Sequence, residues 1–258
     1  MTKKIIFVTG ATSGFGKAIA EKFASEGWNC IITGRRKERL KALKSELEDR
    51  YNTSVLAYDF DVTDKDQVSY VVTGIPEEWK FIDLLVNNAG GAMGRDNFAD
   101  ADLVDFDFMI DTNVKGLLYV SKAIVPYMIR KNKGHIINIG SIAGKEVYEN
   151  GNVYCAAKHA TDALSKGMRI DLLKHNIKVT AIHPGAAETE FSLVRFKGDE
   201  DKAKKVYEGY VPLHAEDIAD IVYYCASLPD HVCINDLVVT PTAQANSYHL
   251  VKSGKHKA

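Results

Sequence analysis

Ile5-Ile6-Phe7-Val8-Thr9-Gly10-Ala11-Thr12-Ser13-Gly14-Phe15-Gly16 is the stretch that decides the fold. Its first four residues form an unbroken apolar run, the pattern of a strand buried on both faces of a parallel sheet. Beyond it, Ala18, Ile19, Phe23 and Ala24 fall at helical spacing. A strand that runs through a glycine turn into a helix is the setting of a dinucleotide phosphate site. Glycine permits the tight turn and lets the backbone approach a pyrophosphate, whose charge the helix N-terminus favours. The spacing here is Gly10-x-x-x-Gly14-x-Gly16, not Gly-x-Gly-x-x-Gly. The flanking strand and helix therefore carry the reading, with Thr12, Ser13 and Phe15 between the glycines.

The same alternation of strand and helix continues outward. Short apolar runs at 30–33, 55–58, 82–86, 135–139, 177–182 and 236–239 read as strands. Helical patterns cover 37–50, 65–72, 106–128, 154–173 and 217–226. No linker or internal repeat interrupts them. The expectation is a single α/β domain over residues 1–258, a doubly wound Rossmann fold with a parallel sheet and helices on both faces. Residues 187–212 are polar and charged, and a segment of that length in a compact fold reads as a substrate lid. The basic residues 252–258 read as a disordered tail.

Composition excludes several classes. With 33 basic and 34 acidic residues, no global field draws the chain to nucleic acid or to an anionic membrane. Cys30, Cys155, Cys225 and Cys233 lack metal-type spacing and read as packed thiols of a reducing compartment. The first apolar run is too short for a signal peptide, and none approaches the ~18 residues of a membrane span. A cytoplasmic protein without metal, nucleic-acid partner or membrane association is expected.

Chemistry sits at the strand ends. Gly34-Arg35-Arg36 follows the second strand, where an acid would bind a ribose 2′-hydroxyl and an arginine a 2′-phosphate. Two planar guanidinium groups favour the phosphate, hence NADP; the alternative is the solvated start of a basic helix. Asp61, next to Val62, is placed to meet an adenine, while Asp64 reads as a helix N-cap. Asn87-Asn88-Ala89-Gly90-Gly91 falls where ligands bind in such sheets. Asn113 lies inside a helical pattern, which suits either a functional amide or a satisfied core amide. Tyr154-Cys155-Ala156-Ala157-Lys158 puts a phenol and an ammonium on one helix face, one turn apart. The cation favours the phenolate and lowers a pKa that is ordinarily about 10. Such a pair can exchange a proton with an alcohol or carbonyl oxygen near neutral pH. Cys30 and His183 read as strand residues.

Taken together these motifs resemble the short-chain dehydrogenase/reductase family over nearly the whole chain. The resemblance rests on Thr9-Gly10-x-x-x-Gly14-x-Gly16, Asn87-Asn88-Ala89-Gly90, Ser141, Tyr154-x-x-x-Lys158 and Pro184-Gly185, in that order. It implies a doubly wound fold, a homotetramer, and a catalytic set of Asn113, Ser141, Tyr154 and Lys158. Ser141 would polarise the substrate oxygen, Tyr154 would carry the proton, and Lys158 would lower the phenol's pKa and hold the nicotinamide ribose. The backbone at Asn113 would anchor a water. Pro184, Gly185 and Thr189 would wrap the nicotinamide end.

A narrower likeness joins Gly34-Arg35-Arg36-Lys37-Glu38-Arg39-Leu40 to the lid sequence from Glu188 to Asp199. These stretches resemble the NADP-dependent 3-hydroxy acid dehydrogenases, which act on serine and related acids. A carboxylate substrate needs a cation, for which Arg195 is the candidate; a surface lid position is the alternative for that residue. Small alanines in Pro184-Gly185-Ala186-Ala187 stand where relatives carry larger aliphatics. Competing expectations are a reductase of 3-oxoacyl thioesters or other bulky carbonyls, and a non-catalytic dinucleotide-sensing regulator.

Overall fold

The computed structural model describes residues 3–252. The basic tail falls outside them except for Lys252. Among the described residues the strands are β1 (Ile5–Val8), β2 (Asn29–Gly34), β3 (Val55–Asp59), β4 (Leu84–Asn87), β5 (Gly134–Ile139), β6 (Ile177–Pro184) and β7 (Asp236–Val239). They form one sheet in the order β3-β2-β1-β4-β5-β6-β7, every neighbouring pair parallel. The helices are α1 (Gly14–Ser25), α2 (Lys37–Arg50), α3 (Lys65–Thr73), α4 (Leu103–Ile110), α5 (Leu117–Lys131), α6 (Asn152–Leu172), α7 (Phe191–Arg195), α8 (Glu200–Lys205) and α9 (Ala215–Ser227).

The strand period of two sorts the apolar residues onto two faces. Ile6 and Val8 of β1 pack with Ile19 and Phe23 of α1, Leu43 and Leu47 of α2, and Ile218 and Val222 of α9. Ile5 and Phe7 point the other way, into Val68 and Val72 of α3 and Val120, Ile124 and Met128 of α5. A sheet covered on both faces explains why the strand sequences run apolar without alternation. β7, at the edge, is half exposed.

The chain leaves β1 toward β2 and β3, then crosses back to β4 on the other side of β1. That reversal opens a crevice at the carboxyl ends of β1 and β4, where open α/β sheets bind ligands. Asp64 caps α3 as expected, its carboxylate accepting from the Asp66 and Gln67 amides.

Two expectations change. The helical pattern over 106–128 is not continuous: α4 passes through a π-helical turn at Asp111–Gly116 before α5. The Asn113 side chain donates to the Met109 carbonyl at 2.8 Å, taking the acceptor that its own backbone amide would use in an α-helix. The segment 187–212 is also more ordered than its composition suggests, because it contains α7 and α8. Its base is pinned where the Glu188 amide donates to Leu213 O at 2.8 Å and the Leu213 amide to Ala186 O at 3.0 Å.

His135 in β5 is buried, with one ring nitrogen 2.8 Å from the Thr180 hydroxyl and Nδ1 unpartnered. Burial, with the Lys178 charge adding to it, pushes its pKa down to about 3. Between pH 6.5 and about 3 the unfolded chain therefore binds a proton that the folded chain refuses, and stability falls as pH falls. From pH 7 to pH 5 this residue alone costs about 2 kcal/mol. Urea unfolding of His135→Asn is expected to lose about that much less than wild type over the same interval. An equal pH dependence in the two proteins would contradict the assignment.

Candidate active site

A cleft of about 480 Å³ opens over the carboxyl ends of the strands. The turn after β1 reaches it with Gly10 at φ 67° and Gly14 at φ 50°, a region that L side chains rarely adopt. The turn is braced from β4. The Asn88 amide group donates to Thr9 O at 2.9 Å and to Gly10 O at 3.2 Å. In return the Thr9 hydroxyl accepts from the Asn88 and Ala89 amides at 3.0 and 2.9 Å.

Of the residues singled out in the sequence, Gly10, Thr12, Ser13, Gly14, Phe15, Arg35, Arg36, Asp61, Val62, Asn88, Ala89, Gly90, Ser141, Tyr154, Lys158, Pro184, Gly185, Thr189 and Arg195 all line this one cleft. Gly16 and Asn113 do not. A methyl at Gly16 would lie 2.3 Å from the Gly10 carbonyl, so its role is to let the helix pack under the turn. Asn113 is buried behind the Gly90-Gly91 loop. Its side chain donates to Gly91 O at 2.7 Å and accepts from the Gly91 amide at 3.2 Å. The Thr161 hydroxyl donates to the Asn113 carbonyl at 3.4 Å.

At one end of the cleft stand the arginines. Arg36 donates to the Thr12 hydroxyl at 2.9 and 2.7 Å, to Ser13 Oγ at 2.6 Å and to Glu190 Oε2 at 2.7 Å. Arg35 turns to Asp61, 3.6 Å away, whose other oxygen accepts from the Thr63 amide and hydroxyl. Glycines with positive φ, open backbone and paired guanidinium groups suit a phosphorylated dinucleotide.

At the other end Tyr154 and Lys158 project from α6, both buried. Lys158 Nζ donates to Ile139 O at 3.1 Å and lies 5.9 Å from the centre of the Tyr154 ring. Burial pushes the Tyr154 phenol above its ordinary range; a hydrogen bond with Ser141 and the Arg195 charge pull it partly back. Burial also brings Lys158 down to about 8. In the protein alone, then, the phenol is not lowered as its spacing from a cation suggests, because desolvation disfavours both charged forms. Ser141 closes β5, its Oγ accepting from the Ala143 amide at 3.1 Å.

Above this pair the lid contributes Arg195, with its guanidinium carbon 5.6 Å from the centre of the Tyr154 ring and 5.7 Å from that of Tyr148. It donates to Gly94 O at 3.3 Å and to the Tyr148 hydroxyl at 3.1 Å. Arg195 thus lines the cleft from the lid, half-buried.

Residues 4–199 match the family profile described as short chain dehydrogenase. The chain belongs to the short-chain dehydrogenase family. Within that family it is similar to the NADP-dependent 3-hydroxy acid dehydrogenase YdfG of Salmonella typhi, 46% identical over 242 residues that cover 93% of this chain and 96% of the relative. It is also similar to sulfoacetaldehyde reductase 2 of Chromohalobacter salexigens, 45% identical over 244 residues, 93% of this chain and 95% of the relative. Among solved structures, the closed form of a serine dehydrogenase complexed with NADP+ superposes with a TM-score of 0.90 at 44% identity, covering 98% of this chain and 100% of that one.

Several residues of this short-chain dehydrogenase's site escape a reading of the sequence. Tyr148 and Arg95 line the cleft, and Gln244 accepts from the Ala186 amide at 2.8 Å, supporting the turn after β6. His183, read as a plain strand residue, is fully buried with Nδ1 donating to the backbone oxygen of Ser141 at 3.1 Å. Behind it Lys145 joins the carboxylates of Asp162 and Asp236. No local spacing marks these, since the partners of Lys145, for example, lie 17 and 91 positions away.

A Cβ at Gly90 would fall 2.7 Å from Asn113 Oδ1 and 3.3 Å from Lys158 Nζ. Asn113 is held by its bonds to Gly91 and Met109 and cannot swing aside. Gly90→Ala is therefore expected to destabilise the protein by about 1–3 kcal/mol in urea unfolding. A variant as stable as wild type would show that the loop yields freely.

Proposed function

We propose that the chain is an NADP-dependent oxidoreductase that interconverts a small 3-hydroxy acid, such as serine or 3-hydroxypropionate, and its carbonyl form. The observation that carries this reading is the fixed cation of Arg195 above the ring of Tyr154 in the same cleft. A 3-hydroxy acid carries its carboxylate a few bonds from its reacting oxygen, and here a cation lies 5.6 Å from the centre of the Tyr154 ring. Two donors of that guanidinium are engaged by Gly94 and Tyr148, which hold it in place, and the remaining N–H groups are left for an anion.

Bound in the cleft, NADP supplies the hydride chemistry. Its pyrophosphate suits the turn from Gly10 through Thr12, Ser13 and Gly14 to Phe15, and its 2′-phosphate suits Arg35 and Arg36. Asp61 and Val62 would hold the adenine, and Asn88, Ala89 and Gly90, with Pro184, Gly185 and Thr189, would hold the rest. Ser141 orients the substrate oxygen by hydrogen bond. Tyr154 gives or takes that oxygen's proton, and its raised pKa makes the phenol the resting proton donor. Lys158, protonated below about pH 8, stabilises the charge that forms on the phenol when the proton leaves. Asn113 acts by holding the Gly90-Gly91 loop and through its backbone carbonyl.

The likeness to sulfoacetaldehyde reductase 2 favours a second reading of the same pocket, with a sulfonate in place of the carboxylate at Arg195. A 3-oxoacyl thioester fits less well, because the cleft beside Tyr154 is lined by the cation of Arg195 and not by apolar side chains alone. A non-catalytic regulator has no use for Ser141, Tyr154 and Lys158 gathered in one cleft. Free and mostly buried cysteines support a cytoplasmic location, and no described helix is long and apolar enough to cross a membrane. The family resemblance supports a homotetramer.

Arg195→Gln is expected to raise KM for 3-hydroxypropionate by about 10- to 100-fold, the worth of a charge-assisted hydrogen bond. KM for an uncharged alcohol should hardly move, and equal losses on both would remove Arg195 from carboxylate recognition. Tyr154→Phe should cut turnover by about 10²–10⁴-fold while NADPH still binds. Unchanged turnover would discard the proton-transfer assignment.

A further inference from the structure

Glu190, in the lid just before α7, holds the arginines at the other end of the cleft. Its Oε2 accepts from Arg36 NH1 and its Oε1 from Arg39 NH1, both at 2.7 Å. Burial alone would raise the Glu190 carboxyl, but the bonds from Arg36 and Arg39 outweigh it and hold the pKa below its usual range. Arg36 has five N–H donors in a fixed fork. Nε is committed to Thr12, NH2 to Thr12 and Ser13, and one N–H of NH1 to Glu190, so little of the fork remains free. Among these partners Glu190 is the only charged acceptor.

The lid is in register with the glycine turn at this point. A Cβ at Gly14 would lie 3.3 Å from Thr189 Cβ, so the residue before Glu190 sits on the turn. One residue after Glu190, the ring of Phe191 lies 5.6 Å from that of Tyr154, and Arg195 closes the same short helix. Arg39 stands one turn beyond Arg36 along α2, which brings the two guanidinium groups to one carboxylate.

We propose that Glu190 is a specificity-determining residue: a carboxylate gate, anchored also on Arg39, that competes with the 2′-phosphate of the dinucleotide for Arg36. The inference rests on the proposed use of NADP. A phosphate at these donors takes the place of the Glu190 carboxylate, since two anions sharing one guanidinium repel each other while each claims the same N–H groups. A dinucleotide lacking that phosphate leaves the Glu190 bridges intact.

Equilibrium titration with NADPH and with NADH, followed by nicotinamide fluorescence, tests the gate in wild type and in Glu190→Gln. The amide keeps the size of the side chain and removes the charge. NADPH should bind the variant about 3- to 10-fold more tightly, the worth of two half-exposed ion pairs no longer in competition, and NADH within about twofold of wild type. If wild type prefers NADPH but the variant binds it no better or more weakly, Glu190 positions the arginines instead and the gate is overturned. If wild type itself does not prefer NADPH over NADH, the cofactor reading fails and the gate with it; the wild-type arm alone distinguishes that case. Glu190→Ala, which cannot accept from either arginine, should shift the NADPH affinity in the same direction as the amide.

Discussion

The Asn88 amide, spanning from the end of β4 to the Thr9 and Gly10 carbonyls, is the link on which the rest of the cleft depends. A doubly wound sheet splits its connections at β1 and β4, and the split leaves two loops side by side with unpaired backbone groups. Buried polar groups must find partners, and here they find each other across the split. The glycine turn is thereby held open with its positive φ values, and the Gly90-Gly91 loop is set against Asn113 and Lys158. The glycine turn and the Tyr154–Lys158 pair share one brace.

A second constraint is desolvation. Tyr154 and Lys158 are almost wholly buried, and low dielectric opposes charge on both. The phenol rises and the ammonium falls to about 8, so the two pKa values move apart, and it is Lys158 that titrates near working pH. The Ser141 hydrogen bond and the Arg195 charge oppose the rise of the phenol. The protonation of Tyr154 is thus set by burial, by a cation over the ring and by a neighbouring hydroxyl. The lid takes part in the electrostatics because it carries Arg195.

Much of this was legible in the sequence. β1, α2 and β7 have the bounds that their patterns predict, because apolar periodicity and caps are local signals. The glycine turn, the Asn88 loop, Ser141 and the Tyr154–Lys158 pair could be read since each sits at the end of a recognisable strand or on one helix face. What escaped depends on tertiary contact. The π-helical turn at Asp111–Gly116 arises where the Asn113 side chain takes the Met109 carbonyl, held there by its bonds to the distant Gly91. Gly16 is a packing glycine because Gly10 lies above it, which no spacing reveals. Glu190 meets Arg36 across 154 positions of chain. The direction of the Tyr154 shift follows from burial, and burial is a property of the folded molecule alone.

On the proposed function this cleft interconverts a small 3-hydroxy acid and its carbonyl form with NADP. The most direct test follows nicotinamide absorbance with purified protein and serine or 3-hydroxypropionate, supplied in parallel with NADP and with NAD. The account predicts turnover with NADP and little with NAD. Equal or faster reduction of NAD would contradict the role given to the arginines. Turnover confined to neutral alcohols would contradict the carboxylate site at Arg195.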